Sequence, residues 1–177
     1  MPSFLRVASL SALAGLALSF VPATAADNTT LLGVSKDWSA FQASTSDGKM
    51  CFAQSKPKTT LPKKAARDAI LFMISDWPGR NVKNELEIVP GYQYKDGEPV
   101  YAEIGTTKIE FFTRNDNGIG TAWVKDAAEE NKLVDAMRTG STITVSGVSK
   151  RGTKTKDTYS LAGLSAVIDK VHAACTK

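Results

Sequence analysis

The chain has 177 residues, with 22 basic and 18 acidic side chains, one histidine and two cysteines. One histidine and two distant cysteines argue against a zinc site, and a formal charge of +4 does not by itself argue for a nucleic-acid partner. Nothing after the first 25 residues is apolar enough to span a bilayer.

Met1 to Ala25 reads as a targeting segment. Arg6 is its only charge, an apolar and small-residue run follows from Val7 to Val21, and Ala23-Thr24-Ala25 is a small-x-small cleavage site. The run is short for a membrane anchor and is interrupted by Ser9, Ser11, Gly15 and Ser19. Cleavage after Ala25 is therefore expected, leaving residues 26–177 as one exported domain. Loss of Arg6 leaves 21 basic against 18 acidic side chains, a net charge of +3. The expected location is periplasmic or secreted, including peripheral attachment to the outer membrane, with no transmembrane segment after cleavage. Two cysteines form one bridge or two free thiols, and an exported compartment favours a Cys51–Cys175 bridge.

Along the mature chain, Asp27 to Gly33 is polar and reads as loose. Trp38, Ala40 and Gln42 alternate with Ser39, Phe41 and Ala43, and Ser46-Asp47-Gly48 turns the chain into a return strand carrying Cys51. Lys56 to Arg67 holds two prolines and five basic residues (Lys56, Lys58, Lys63, Lys64 and Arg67) without apolar periodicity, so it reads as an exposed loop. Ala69 to Ile74 is an unbroken apolar run of strand length, expected to be covered on both faces and ended by Asp76-Trp77-Pro78-Gly79.

Short strands follow. Leu86 and Ile88 alternate with charged neighbours; Tyr92 and Tyr94 precede an Asp96-Gly97 turn; Val100 to Ile104 and Ile109 to Thr113 are split by Gly105; Asn117-Gly118 leads into Thr121 to Val124. Short strands with frequent turns indicate a sandwich or a barrel. Asp126 and Glu129 have capping-box spacing ahead of a helix that ends at Gly140. Ser141 to Val148 alternates cleanly, Arg151-Gly152 turns the chain, and Thr155 to Ser160 pairs back. In the closing stretch Leu164, Val167, Ile168 and Val171 share one helical face, and Cys175 falls on it about three turns after Leu164. Ser160 is positioned to cap that helix. The expectation is a final helix stapled to an early strand.

Few side chains suggest chemistry. His172 lies off the apolar stripe and reads as a surface residue, and no Gly-x-Ser-x-Gly elbow accompanies it. The glycines form no phosphate cradle, so no cofactor is expected. Thr113 to Val124 has calcium-loop offsets but lacks acids at its first and last positions. Glu85, Glu87, Glu103 and Glu110 alternate onto solvent faces and cannot be paired from spacing, which leaves an envelope hydrolase acting on cell-wall or glycan material as the second reading. The candidate anion-binding residues are the loop set Lys56, Lys58, Lys63, Lys64 and Arg67 and the hairpin set Lys150, Arg151, Lys154 and Lys156. They are expected to form one face towards an anionic envelope or host-surface component.

Several strings, in order, resemble the invasion-associated locus B family of alphaproteobacterial exported proteins. They are Trp38-Ser39-Ala40; Cys51-Phe52-Ala53 with Ser55-Lys56-Pro57-Lys58; Gly91-Tyr92-Gln93-Tyr94-Lys95; Ala122-Trp123 with Asp126-Ala127-Ala128; Ala136-Met137-Arg138 with Gly140-Ser141-Thr142; and Asp157 to Gly163 with Cys175. The resemblance implies an all-β, immunoglobulin-like β-sandwich with two short helices, the second C-terminal. It also implies an envelope or exported location, with host-cell entry linked to some members and no reaction or cofactor attached. Many members carry a further cysteine shortly after the first tryptophan; Ser39 to Ser46 has none. The matched positions are mostly aromatic, glycine and cysteine, so the resemblance brings no catalytic residue. The resulting expectation is a non-enzymatic envelope or host-interaction protein.

Overall fold

The structure, a computed structural model, describes residues 28–63 and 65–176. The expected targeting segment and Lys64 lie outside the described residues. In chain order the strands are β1 Asn28–Ser35, β2 Trp38–Thr45, β3 Gly48–Ser55, β4 Thr59–Leu61, β5 Leu71–Trp77, β6 Val82–Val89, β7 Val100–Ile104, β8 Thr107–Asp116 and β9 Ile119–Trp123; after helix α1 Ala127–Thr139 come β10 Thr142–Val148, β11 Lys154–Ser160 and helix α2 Leu164–Cys175.

Three segments depart from the sequence reading. Residues from Asn28 form strand β1 rather than a loose arm, because the backbone pairs with β2 from Asn28↔Ser44 to Ser35↔Trp38 regardless of side-chain polarity. Part of the basic loop is strand β4, which pairs with β11. The apolar run in β5 is buried on one face only: Phe72 and Ile74 point into the core, while Leu71 and Met73 stay partly exposed. That strand also runs on through Asp76 and Trp77.

All strand pairs are antiparallel, in the order β1-β2-β3-β5-β6-β9-β8-β7-β10-β11-β4. Strand β8 is the seam. Its first half, to Phe111, pairs with β7, and its second half, from Phe112, pairs with β9. The β8–β9 turn uses Asn117 (φ 49°) and Gly118 (φ 86°), both in the left-handed region that a two-residue hairpin needs. The sheet curls so that its two halves face each other as a sandwich. Phe72 of β5 meets Tyr159 of β11 edge-on at 5.5 Å, and the Trp38 indole N–H donates to the Ser160 carbonyl at 2.9 Å. One continuous core fills the interior.

Helix α2 lies on β1, β2, β3 and β5. Leu164, Val167, Ile168, Val171 and Cys175 are all buried, as their periodicity predicts. Its N-cap is Gly163, not Ser160, whose hydroxyl instead accepts from the Ala162 amide. Gly163 has φ 91°, and a Cβ there would stand 2.0 Å from the Ser35 carbonyl oxygen, so only glycine fits. Cys175 is bonded to Cys51 of β3, with Cα atoms 5.9 Å apart and a sequence separation of 124.

Helix α1 is capped by Asp126, whose carboxylate accepts from the Ala128 and Glu129 amides. It buries Leu133, Val134 and Met137. Strand β9 pairs with β6 only at Glu87 and Ile88. Beyond that point Glu130 accepts from the Leu86 amide at 3.0 Å. A helix side chain thus satisfies a sheet donor that would otherwise be buried unpaired.

A cationic cleft between four loops as the candidate functional site

A cleft of about 540 Å³ opens where four connections converge: the loop after β4, the Gly91–Gln93 segment, the β8–β9 turn and the β10–β11 turn. Its floor is a buried ion pair. The Arg67 guanidinium makes two bonds to the Asp157 carboxylate, both 2.7 Å, with side chains only 5% and 3% exposed. Arg67 Nε donates to the Pro90 carbonyl at 2.8 Å. Burial is the largest influence and opposes the Arg67 charge, but the hydrogen bond and the charge of Asp157, with smaller help from Tyr92 and Tyr159, together hold the guanidinium above its ordinary pKa.

Tyr92 stands beside this pair. Its ring lies 4.9 Å from the guanidinium carbon, and its hydroxyl meets the Thr155 hydroxyl at 2.6 Å. Burial raises the Tyr92 pKa, partly offset by the Thr155 bond. Behind it Tyr94 packs edge-on at 5.3 Å, its backbone held by Asn115 on both the N–H and the C=O. Tyr159 is also buried, yet its hydroxyl has no hydrogen-bond partner among the described residues.

The walls are tied together by main chain. Lys150 N–H donates to the Gln93 carbonyl (2.7 Å), Lys95 N–H to Val148 (2.9 Å) and Asp68 N–H to Gly91 (3.1 Å). Gly91 has φ 73°, and a Cβ there would meet the Asp68 carbonyl oxygen at 2.5 Å. On the rim, Lys150 and Arg151 are exposed and enter no ion pair among the described residues.

The two basic segments are neighbours. Strand pairing sets Lys156 opposite Leu61, and Arg67 from the first segment shares a cleft with Lys150 and Arg151 from the second. Lys63, Lys154 and Lys156 are exposed. Two members are not free cations, contrary to the expectation of a uniformly solvated set. Arg67 is buried against Asp157, and Lys58 is paired with Asp37 at 2.7 Å, which holds the Asp37 carboxyl below its usual range. Lys56 lines a second cleft of about 290 Å³ with Lys58 and Asp37. Sequence spacing missed Arg67–Asp157 because 90 residues separate the partners.

Elsewhere, His172 is half-buried rather than a plain surface residue. Its Nε2 lies 2.9 Å from Asn84 Oδ1 and 3.8 Å from the Asp76 carboxylate, and burial lowers its pKa. Glu85 and Glu87 share the outer face of β6. Glu85 accepts from the Trp77 indole at 2.7 Å, while burial and the neighbouring Glu85 push Glu87 up to about 7. Neither glutamate lines the two clefts.

The family model for the invasion associated locus B (IalB) protein matches residues 38–172. The chain belongs to the IalB family. A search of curated proteins finds no match. Among solved structures, the chain is similar to the crystal structure of invasion associated protein B from Bartonella henselae, with a TM-score of 0.56 and 15% identity over 82% of this chain and 98% of that one. At that identity the likeness concerns the fold alone. Among the described residues no helix is long and apolar enough to cross a membrane, and no group of three or more His, Cys, Asp or Glu is placed to hold a metal.

Proposed function

We propose that this IalB protein is an exported, non-enzymatic interaction module that works in the periplasm or beyond it, peripheral to the outer membrane. Its basic face would meet an anionic component of the envelope or of a host surface. The observation that carries this reading is the convergence of two sequence-distant basic segments on adjoining strands β4 and β11 and around one cleft. Exposed lysines attract anions over roughly the 8–10 Å of physiological screening, so binding should fall steeply with added salt. The Cys51–Cys175 bond suits an oxidising compartment. An envelope hydrolase would need two carboxylates across one cleft, whereas among the described residues Asp68 is the only carboxylate lining the larger of the two clefts.

The test is binding to lipopolysaccharide, heparin-like glycans and anionic vesicles at low salt, with Lys63→Glu combined with Lys154→Glu as the variant. Both side chains are exposed, so the fold should persist. At least a tenfold loss of affinity is expected. Unchanged affinity in the double variant, or no binding by the wild type, would overturn the reading.

A further inference from the structure

We propose that the cleft between Asp68, Gln93, Lys150 and Arg151 binds one acidic sugar residue, a saccharide unit bearing a single carboxylate. The inference rests on the reading of the basic face as anion-binding and narrows it to one ligand class at one place.

Charge sets the first limit. Arg67, Lys150 and Arg151 line the cleft, as does Asp68. Asp157 neutralises Arg67 beneath the floor. Among the described lining residues two cations, Lys150 and Arg151, and one carboxylate, Asp68, remain, a net charge of +1. A monoanion matches that balance; a dianionic phosphate overshoots it.

Hydrogen bonding sets the second limit. The floor groups are committed to one another: Tyr92 to Thr155, Ser149 Oγ to the Thr153 amide and Arg67 to Asp157. The side chains of Asp68, Gln93 and Thr153 make no hydrogen bond among the described residues, and all three line the cleft beside the two cations. They offer an amide, a hydroxyl and a carboxylate acceptor to a ligand that carries several hydroxyls as well as its charge. A simple fatty carboxylate would leave them unused.

Size and rigidity set the third. The cleft of about 540 Å³ falls in the ~300–1,000 Å³ range of small-ligand sites. Main-chain bonds from Lys150 to Gln93 and from Asp68 to Gly91 fix its walls, so little ordering is required on binding. The cleft is open and polar, so weak binding is expected for one unit, with Kd on the order of 1 mM.

The experiment titrates the disulfide-intact protein with glucuronate, glucose, propionate and glucose 6-phosphate, by calorimetry and by amide NMR. Saturable 1:1 binding of glucuronate is expected, with shifts at Gln93, Lys150 and Arg151. Binding of glucose, propionate and glucose 6-phosphate should be at least fivefold weaker. Lys150→Ala with Arg151→Ala should abolish glucuronate binding, and Gln93→Ala should bring glucuronate down towards propionate. Equal binding of propionate, tighter binding of glucose 6-phosphate, or shifts elsewhere would overturn the proposal. Heparin binding is scored in parallel. Heparin bound without glucuronate defeats the cleft proposal and leaves the basic face standing. Glucuronate bound without heparin or vesicles does the reverse.

Discussion

At the α2 end of the sandwich, Leu164, Val167, Ile168 and Val171 enter the core as an unbroken apolar stripe, and one covalent bond fastens the helix to β3. At the cleft end, the interior is closed by an ion pair, three tyrosines and a hydroxyl pair. The stripe itself carries no polar side chain; off it, His172 of the same helix meets Asn84 and Asp76. The cleft end buries charge and must satisfy it, because an unpaired ion in the interior costs several kcal/mol. The helix end is therefore held by apolar packing and a covalent bond, and the cleft end, where function is proposed, by charges that must stay paired.

The largest expected effect tests the helix end. Cys51→Ser with Cys175→Ser opens a loop closed across a sequence separation of 124, and the chain-entropy model gives a loss of about 5 kcal/mol, an upper figure. Urea unfolding should show the fall in midpoint, with α2 losing amide protection first. A loss under about 1 kcal/mol would mean that the apolar stripe alone holds the helix.

The next test concerns the cleft floor. Arg67→Ala strands the Asp157 charge at 3% exposure and should cost about 3–5 kcal/mol. Adding Asp157→Ala should recover part of that loss, since the orphaned charge is then gone. If the double variant is no more stable than the single one, the pair is not the unit described here.

Between the two ends, Glu130 links stability to pH. Burial raises its pKa from 4.5 to about 7, opposed in part by its bond from the Leu86 amide. The folded protein then holds this proton more tightly than the unfolded chain. The sign follows: Glu130 contributes a loss of stability as pH rises through about 4.5 to 7. His172, with its pKa lowered, contributes the opposite slope below its ordinary value, so the comparison must be between variants. Glu130→Gln should match the wild type near pH 4 and exceed it at pH 8 in thermal unfolding. Parallel curves would refute the assignment.

Smaller effects separate the tyrosines and the rim. Tyr92→Phe loses the Thr155 bond and should cost about 1 kcal/mol, whereas Tyr159→Phe removes an unpartnered hydroxyl and should be neutral or stabilising. Lys150→Ala with Arg151→Ala should change stability by less than about 0.5 kcal/mol, because both are exposed and enter no ion pair among the described residues. A measurable stability loss there would make the rim structural.

The helix end was largely legible in the sequence because its signals are local. Periodicity placed Leu164, Val167, Ile168, Val171 and Cys175 on one face, and turn chemistry at Asn117-Gly118 and capping at Asp126 were read from adjacent residues. The family resemblance read from ordered strings agrees with the family match, and with it came the all-β class. The two basic segments were visible as charge runs. Their contact across β4 and β11 was not.

Tertiary structure decided what depends on partners far apart in the chain. Arg67 looked like one more loop cation until the fold set Asp157 against it, and His172 looked peripheral until β6 brought Asn84 to it; Glu130 gave no signal in the sequence, and its bond to the Leu86 amide exists only because β9 ends short of that residue. The seam in β8 and the strand character of β1 were equally hidden, since backbone pairing does not depend on side-chain pattern. Propensity, periodicity and capping act over a few residues and are written in the sequence. Desolvation and charge pairing act through space, and only the folded chain sets those distances.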